Sequence, residues 1–341
     1  MTRLDTGARD VSLDAVETVV ITQNQPQPAR PVDRRAAARK RRLKRDLIFL
    51  SMGLPGIVVL FVFAYIPMAG SIIAFKDYRA VDGIWNSAWV GFQNFAYLFA
   101  SDDAWRITRN TVVMNTIFMV VNTVLSLALA LAMNEIRERT PRLAKLYQSV
   151  FFLPFVLSYV AVAAFVLAFL DPSNGILNHT IEAFGGKGVD WYASPDWWPT
   201  ILTVVEAWKR IGFWTIVYFA AIIAISPEYF EAASIDGASK WQQIRLITLP
   251  MLAPLVIINL LLSIGHIFNA DFGLFFQVTQ NSTPLYPTTD VIDTFVYRSL
   301  TSLGNVGMAA AAGLYQALVG LVLILCANWY VRRRSPSAAL F

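Results

Sequence analysis

Apolar runs of 20 or more residues recur along the chain, separated by shorter segments that carry its charges. Each run is long enough to cross the roughly 30 Å hydrocarbon core of a bilayer as one helix. The pattern therefore predicts an all-α membrane protein with six transmembrane helices. The predicted spans are residues 47–70, 112–133, 146–170, 201–225, 251–270 and 308–330. The first run exceeds the ~7–15 residues of a signal-peptide core, so we expect it to be retained.

Composition supports the membrane assignment. Charged residues make up 15% of the chain, against about 25% in ordinary soluble proteins. Residues 1–46 hold 17 of the 51 charged side chains, and residues 332–334 hold three more. The charges left for the region between them are too few to cover a soluble globule of that size, so a soluble protein is excluded.

The distribution of Lys and Arg predicts the orientation. With the N-terminus inside, the inner segments hold 20 of the 28 basic residues and the outer segments hold six. Since basic residues concentrate on the cytoplasmic side, we expect both termini to be cytoplasmic. The composition predicts a disordered tail at residues 1–46, whose basic segment 34–45 can form a helix on anionic lipid. This placement favours membrane lipid over nucleic acid as the partner of the tail.

Tryptophan is concentrated in the predicted outer segments, which hold six of the ten. Those six are Trp85, Trp89, Trp105, Trp191, Trp197 and Trp198. Tryptophan anchors spans at the level of the lipid headgroups, and it also stacks on the apolar faces of sugar rings. Both interpretations remain open from the sequence.

The inner segment between spans four and five, residues 226–250, predicts two short helices. Ser226 suits a helix N-cap, and Pro227 suits the first helical position. Gly237 interrupts the first helix, and a second amphipathic helix continues to Pro250.

The first predicted helix of residues 226–250 carries a small apolar knob beside one acid. Tyr229, Phe230 and two alanines form the knob, and Glu231 lies next to it. Such a helix suits insertion into a groove on a partner protein, with apolar anchors and one charge for pairing. A loop lying in the lipid headgroups would have the same pattern, so both interpretations stand on these residues alone.

The spacing within residues 226–250 resembles that of a known family, the permease subunits of ATP-binding-cassette importers. Since this segment is the coupling loop of that family, we call residues 226–250 the coupling loop. Their signature is Glu-Ala-Ala, three residues, Gly, nine residues, Ile, one residue and Leu-Pro. The matching residues are Glu231, Ala232, Ala233, Gly237, Ile247, Leu249 and Pro250. Residues 65–78, 90–95, 110–111 and 289–298 resemble the carbohydrate-uptake members, in particular the branch that takes up oligosaccharides, including uronate oligosaccharides. The resemblance covers residues 47–335.

The resemblance implies a type I importer permease fold with a cytoplasmic coupling helix. It also implies a second homologous permease, two cytoplasmic ATPase subunits and an extracytoplasmic sugar-binding protein as partners, in the plasma (inner) membrane of a prokaryote. Glu231 would pair with a basic residue of the ATPase, while Ala232, Ala233 and Gly237 permit close docking. Leu249 and Pro250 complete the coupling motif.

No cofactor is expected on this chain. ATP and magnesium would bind the partner ATPases, since residues 185–188, the closest approach to a nucleotide-binding loop, lack its Ser/Thr. We therefore expect a non-catalytic permease subunit, followed by a short cytoplasmic tail at residues 336–341.

Polar residues within the spans are candidates for the substrate path. In carbohydrate importers the sugar contacts come largely from the spans on either side of the coupling loop. The corresponding residues of this chain are Trp214, Tyr218, Asn259, Ser263, His266 and Asn269. Aromatic faces with amide, hydroxyl and imidazole groups suit a hydroxyl-rich ligand, although helix packing would employ the same residues.

Two other classes of function fit the sequence less well. A proton-coupled secondary transporter could use Glu206, His266 and Asp271 as a relay, but it leaves the coupling motif unexplained. An intramembrane enzyme would need a nucleophile–base or metal constellation, which two histidines without an acidic metal motif do not supply. Glu206, Lys209 and Arg210 are spaced three and four apart, so we expect them to pair with one another. Within the importer class, amino-acid or phosphate-ester cargo stays open.

Overall fold

The computed structural model describes residues 31–100 and 102–334. The predicted all-α class is confirmed, because almost all regular structure in these residues is helical. Contacts divide the chain into two compact units, with the boundary between Ile66 and Pro67. Residues 1–30 and 335–341, which contain most of the predicted N-terminal tail and the whole predicted C-terminal tail, lie outside the described residues.

Fifteen α-helices and two short strands follow one another along the described residues. The α-helices are α1 (Pro31–Leu60), α2 (Ile66–Met68), α3 (Gly83–Asn86), α4 (Gln93–Ala100), α5 (Asp102–Arg139), α6 (Pro141–Val156), α7 (Tyr159–Leu170), α8 (Ile176–Ala183), α9 (Trp198–Ile223), α10 (Pro227–Ile235), α11 (Lys240–Gln243), α12 (Leu249–Gly265), α13 (Tyr286–Thr289), α14 (Ile292–Thr301) and α15 (Val306–Arg334). An antiparallel pair of two-residue strands joins β1 (Lys76–Asp77) to β2 (Ala88–Trp89).

Short helical segments of other types complete the described structure. Phe61–Tyr65, Ile244–Thr248 and Gly273–Val278 are π-helical, and Ala69–Phe75, Trp191–Ala193, Pro195–Trp197 and Thr283–Leu285 are 3₁₀-helical. In the first unit, α1 begins at Pro31, a residue suited to the first helical position. Residues 31–46 belong to α1, which includes the basic segment 34–45 whose sequence allows a helix.

Four helical segments of the described residues are long and apolar enough to cross a membrane. They are Arg45–Phe75, Asp102–Arg139, Lys240–Gly265 and Val306–Arg333. Two bent pairs raise the number to six if each pair is one span: Pro141–Val156 with Tyr159–Leu170, and Pro195–Ile223 with Pro227–Ile235. These segments overlap all six predicted spans, and several helices extend further than the hydropathy indicates.

The third predicted span, 146–170, is wrong as a single straight helix. It consists of α6 and α7, which meet at an angle of 97°. Pro154 lies in the last turn of α6 and has no N–H to donate, and Leu157 is extended. Ser158 then caps α7, because its hydroxyl oxygen accepts from the N–H of Ala161.

The fifth predicted span, 251–270, is displaced. Helix α12 continues from α11 through the π-helical segment Ile244–Thr248, so the helical run begins at Lys240 and ends at Gly265. His266 caps the helix, and Asn269 lies beyond it. The short non-helical stretch that follows exposes backbone groups, and these need partners from neighbouring helices.

Helix α9 is central to the second unit and packs against both α5 and α6. At the α9–α6 crossing a Cβ on Gly212 would lie 1.8 Å from the carbonyl oxygen of Phe151, so only glycine fits there. Small residues of this kind allow close helix approach in membranes. Trp198 near one end of α9 and Tyr218 near the other belong to two different core clusters, so α9 connects both.

Candidate functional site

The coupling loop has the two-helix form that its sequence predicts. Helix α10 follows Ser226, with Pro227 as its first residue, although the Ser226 side chain makes no capping hydrogen bond. Gly237 adopts a left-handed φ of +77°, which favours glycine and allows the chain to reverse. The second helix begins with a capping box that sequence reasoning missed, in which Ser239 and Gln242 satisfy each other's backbone N–H groups.

Helix α10 is the exposed part of the coupling loop. None of its residues is buried in the chain, and Glu231 and Ala232 are exposed. The structure places Leu249 and Pro250 elsewhere, at the start of α12. The coupling motif is therefore divided between a free helix and the base of a membrane span.

The coupling loop is attached to the C-terminal end of α5. The Lys240 ammonium lies 2.8 Å from Glu138 Oε2 and donates a hydrogen bond to it. Gln243 Nε2 donates to Ser234 Oγ at 3.0 Å, which joins the two helices of the loop. A cavity of about 630 Å³ lies between α10 and the ends of α5 and α9, and Glu231 is among its lining residues.

A second cavity, of about 380 Å³, lies between α5, α9 and the end of α12. We call it the polar cavity. Its lining residues are Asn115, Phe118, Met119, Asn122, Thr123, Glu206, Arg210, Trp214, Asn259, Leu262, Ser263, His266, Asn269, Ala270 and Asp271. Amide, hydroxyl, imidazole and indole groups thus surround one space, which is large enough for part of a small polar ligand.

Five of the six predicted substrate-path residues line the polar cavity. They are Trp214, Asn259, Ser263, His266 and Asn269. Tyr218 does not line it, since this side chain is fully buried and its hydroxyl accepts a hydrogen bond from Asn259 Nδ2 at 2.7 Å. Tyr218 therefore acts in helix packing, and it fixes the orientation of a residue that does face the cavity.

Helix α5 contributes polar residues that sequence reasoning missed. Asn115, Asn122 and Thr123 line the polar cavity. Asn115 Nδ2 donates to the carbonyl oxygen of Ile267 at 2.8 Å and satisfies the backbone just after α12. Asn115 and Asn122 are seven residues apart in an otherwise apolar run, a spacing that places both on one helix face and could have identified them.

An acid–base–acid cluster lies on one wall of the polar cavity. Arg210 Nε lies 2.8 Å from Glu206 Oε1, as the spacing of four predicts. Arg210 Nη2 also lies 2.8 Å from Asp271 Oδ2, a contact between α9 and the segment after α12. The second oxygen of Glu206 accepts from the Tyr159 hydroxyl at 3.0 Å. The cluster thus connects three helical segments.

Lys209 lies outside this cluster, so the predicted Glu206–Lys209 pairing is wrong. The ammonium donates to the carbonyl oxygens of Phe155 and Leu157, at the break between α6 and α7. It also lies 4.8 Å from the centre of the Tyr159 ring, in cation–π contact. The spacing along α9 allows Glu206 to pair with either Lys209 or Arg210. The carbonyl oxygens at the bend between α6 and α7 bind Lys209, so Glu206 pairs with Arg210.

Two outer segments with family resemblance, 110–111 and 289–298, contact each other. Asn110 Nδ2 donates to the backbone carbonyl of Asp290, and Thr111 Oγ1 accepts from the N–H of Ile292. The buried Asp290 carboxylate accepts two hydrogen bonds from Arg298 and one from Arg106. Burial alone would lower the pKa of Arg298, but the hydrogen bond and charge of Asp290 raise it above its usual value.

The six outer tryptophans separate into two groups. Trp191 and Trp198 are core residues, and the Trp198 indole N–H donates to the carbonyl oxygen of Trp191 at 2.7 Å. Trp85, Trp89, Trp105 and Trp197 are exposed. Only the exposed four remain available to lipid headgroups or to a ligand.

The family model of the binding-protein-dependent transport system inner membrane component matches residues 122–336. The chain is 31% identical to the protein LplB of Bacillus subtilis over 299 residues, which cover 88% of this chain and 92% of LplB. It is 32% identical over 277 residues to YteP, the polygalacturonan/rhamnogalacturonan transport system permease protein of the same organism. That match covers 81% of this chain and 85% of YteP.

A solved structure has the same fold. It is a chain of a bacterial ABC transporter involved in the import of the acidic polysaccharide alginate, with a TM-score of 0.78 and 34% identity. The match covers 86% of this chain and 98% of that chain. The alginate transporter has also been solved in complex with a periplasmic protein that holds an alginate pentasaccharide.

Proposed function

The chain belongs to the binding-protein-dependent transport system inner membrane components, and we propose that it is the membrane-spanning permease subunit of an ATP-driven sugar importer. Its relatives are non-catalytic permease subunits of ABC transporters, and this chain is likewise not an enzyme. The cargo is an oligosaccharide. Relatives named for polygalacturonan, diacetylchitobiose and alginate transport support this class of cargo.

The polar cavity is the observation that carries the proposal. It brings together groups from α5, α9 and α12 that suit sugar hydroxyls, and Trp214 supplies an aromatic face beside them. Five of its residues are among the six that the sequence analysis names as candidates for the substrate path. A ligand held there would contact both spans that flank the coupling loop. Its binding could therefore change the position of the loop where the ATPase docks.

The coupling loop is proposed to dock on the ATPase. Glu231 pairs with a basic residue of that subunit, while Ala232 and Ala233 allow close approach of the two surfaces. The free face of α10 supports this role, since none of its residues is buried by the rest of the chain. Motion of the docked loop would be passed on through the Lys240–Glu138 contact to α5.

The transport cycle is proposed to be alternating access. Six spans with both termini in the cytoplasm pair with a second homologous permease and enclose the path. Two ATPase subunits bind ATP and magnesium and move the coupling loops as rigid bodies, and an extracytoplasmic binding protein delivers the sugar. Residues 47–335 form the permease domain, and residues 1–46 and 336–341 are cytoplasmic tails at the inner membrane of a prokaryote.

The proton-relay alternative is not favoured. Two members of the proposed relay, Glu206 and Asp271, are each bound to the permanently charged Arg210. Both carboxylates are thus engaged in ion pairs within the wall of the polar cavity, and a relay also leaves the coupling motif unexplained.

ATP hydrolysis by the assembled complex tests the proposal. The chain is co-expressed with its partner permease and ATPase, placed in lipid nanodiscs and assayed with the binding protein. The ligands are neutral oligosaccharides, uronate oligosaccharides, amino acids and sugar phosphates. Stimulation by saccharides alone is the expected result. If no ATPase co-purifies, or if only the amino acids or phosphates stimulate hydrolysis, the sugar-importer assignment fails.

A second arm of the experiment separates the two transporter classes. Uptake into proteoliposomes is measured with ATP enclosed, before and after a protonophore collapses the proton gradient. An ATP-driven importer continues to accumulate sugar. Uptake that stops with the gradient and ignores ATP would restore the relay of Glu206, His266 and Asp271.

A further inference from the structure

The charges of the polar cavity restrict what it can hold. Arg210 is the only Lys or Arg among the described residues that line it. Its Nε and Nη2 are each 2.8 Å from a carboxylate oxygen, one of Glu206 and one of Asp271. Two carboxylates therefore share one guanidinium, so Arg210 is not a free cation in this wall of the cavity.

The neighbouring cation, Lys209, is also engaged by the protein itself. Lys209 is adjacent to Arg210 in sequence, but its ammonium is held by the carbonyl oxygens of Phe155 and Leu157 at the α6–α7 break. It is not among the lining residues of the polar cavity. A carboxylate on a ligand would thus meet a guanidinium that is already paired with two carboxylates of the protein.

The neutral polar groups also favour a ligand that donates hydrogen bonds. Asn115 uses its amide nitrogen on the carbonyl of Ile267, which leaves the amide oxygen as its unengaged group. The Ser263 hydroxyl donates to the carbonyl oxygen of Asn259 at 2.9 Å, so its lone pairs remain for a donor. Sugar hydroxyls can donate to such acceptors, whereas a carboxylate can only accept.

We propose that the polar cavity selects neutral, hydroxyl-rich saccharides over uronates, and that Asp271 is the residue that sets this preference by neutralising Arg210 together with Glu206. The inference rests on the proposed sugar path and names its substrate class. It predicts a preference opposite to the acidic cargo named for the alginate and polygalacturonan relatives. A guanidinium that is already paired with two carboxylates offers little attraction to a uronate carboxylate, and a neutral ring does not need that attraction.

Asp271 can be tested without disturbing the backbone around it. Its Oδ1 accepts from the N–H groups of Gly273 and Leu274, while Oδ2 faces Arg210. An Asp271→Asn side chain keeps the oxygen that caps this turn and loses the charge. Arg210 then has one acidic partner, Glu206, in place of two, and this change is expected to improve uronate affinity roughly tenfold or more.

Fluorescence of Trp214, which lines the cavity, supplies a local signal. The assembled complex in nanodiscs is titrated, without binding protein, with an oligogalacturonide and with its methyl ester. The two ligands share one backbone and differ in charge. The part of the ligand-induced fluorescence change that is absent from a Trp214→Phe complex is assigned to binding in the polar cavity. The matched control is Asp196→Asn, an exposed outer aspartate in which the same charge is removed.

The expected result is tighter binding of the methyl ester than of the free acid. The measured quantity is the ratio of the dissociation constant of the free acid to that of the methyl ester. Asp271→Asn, and independently Glu206→Gln, should lower this ratio by roughly tenfold, while Asp196→Asn leaves it unchanged. Equal or tighter binding of the acid by the wild-type complex, or a ratio that neither variant alters, overturns the inference alone. If neither these ligands nor neutral oligosaccharides perturb Trp214, the sugar path itself is wrong.

Discussion

The ammonium of Lys209 on α9 lies 3.0 Å from the backbone carbonyl oxygen of Phe155, at the end of α6. The carbonyls of the last helical turn have no partner within their own helix, and a positive charge there also complements the helix dipole. The next helix, α7, leaves at 97°, so these carbonyls would otherwise face apolar surroundings. Lys209 therefore stabilises a sharp bend within a membrane segment.

Lys209→Met is expected to destabilise the protein. Methionine keeps the length and apolar stem of lysine but leaves the carbonyl oxygens of Phe155 and Leu157 without a donor. Each unsatisfied carbonyl costs about 1–3 kcal/mol of folding free energy. Thermal unfolding in nanodiscs measures the change, with Lys187→Met at an exposed outer position as the control. Equal thermal unfolding midpoints for the two variants would show that Lys209 does not stabilise the bend.

Gly212→Ala should disrupt the packing of α9 on α6. The added Cβ would lie 1.8 Å from the carbonyl oxygen of Phe151, and the helices must separate to admit it. Overpacking of this kind costs about 1–3 kcal/mol. Gly313→Ala in α15 is the matched control, because a Cβ there meets no atom within 4 Å.

The control variant is expected to be neutral or slightly stabilising, since alanine favours helix over glycine by up to about 1 kcal/mol. Expression yield and unfolding midpoint are compared for both variants. A Gly212→Ala protein as stable as Gly313→Ala would show that the α9–α6 contact tolerates separation.

Asp290→Asn should weaken the outer region. Asp290 is buried, and its carboxylate accepts from both Arg298 and Arg106. Removing one member of a buried charge cluster leaves uncompensated charge and costs about 3–5 kcal/mol. Limited proteolysis of the outer segments and the unfolding midpoint report the loss. Asp196→Asn, where the aspartate is exposed, should change neither measurement.

Glu231→Lys should uncouple transport from ATP hydrolysis. The residue is exposed on α10, so the substitution leaves the fold and membrane insertion intact. Reversal of the charge would repel the basic residue proposed on the ATPase and abolish sugar-stimulated hydrolysis. Glu182→Lys on the exposed surface of α8 is the control for charge reversal. Normal stimulated hydrolysis in Glu231→Lys would overturn the role of this residue.

Much of the site follows from local sequence rules. The start of α10 at Pro227 and the reversal at Gly237 follow from the steric preferences of proline and glycine, which act within a few residues. Arg210 pairs with Glu206 because residues four apart share one helix face. Asp271, the second partner of Arg210, comes from a distant segment, and no local rule predicts the contact.

The residues that local rules misplaced have a common feature. Lys209 had a carboxylate within reach on its own helix, yet it caps a bend that hydropathy cannot detect, since both arms of the bend are apolar. The aromatic face and hydroxyl group of Tyr218 suit a sugar ligand, but the side chain lies behind the wall of the cavity and orients Asn259. In both cases the outcome depended on which helix face meets a neighbour.

The sequence by itself determined the membrane class, the approximate positions of the spans and the family, because hydrophobic length, charge distribution and a spaced motif are properties of the chain alone. Only the tertiary structure decided that Asn115, Arg210 and Asp271 surround one cavity and that Arg210 is matched by two carboxylates. Pairing in a membrane protein depends on the rotation and crossing of helices, and interactions between residues far apart in sequence set that geometry.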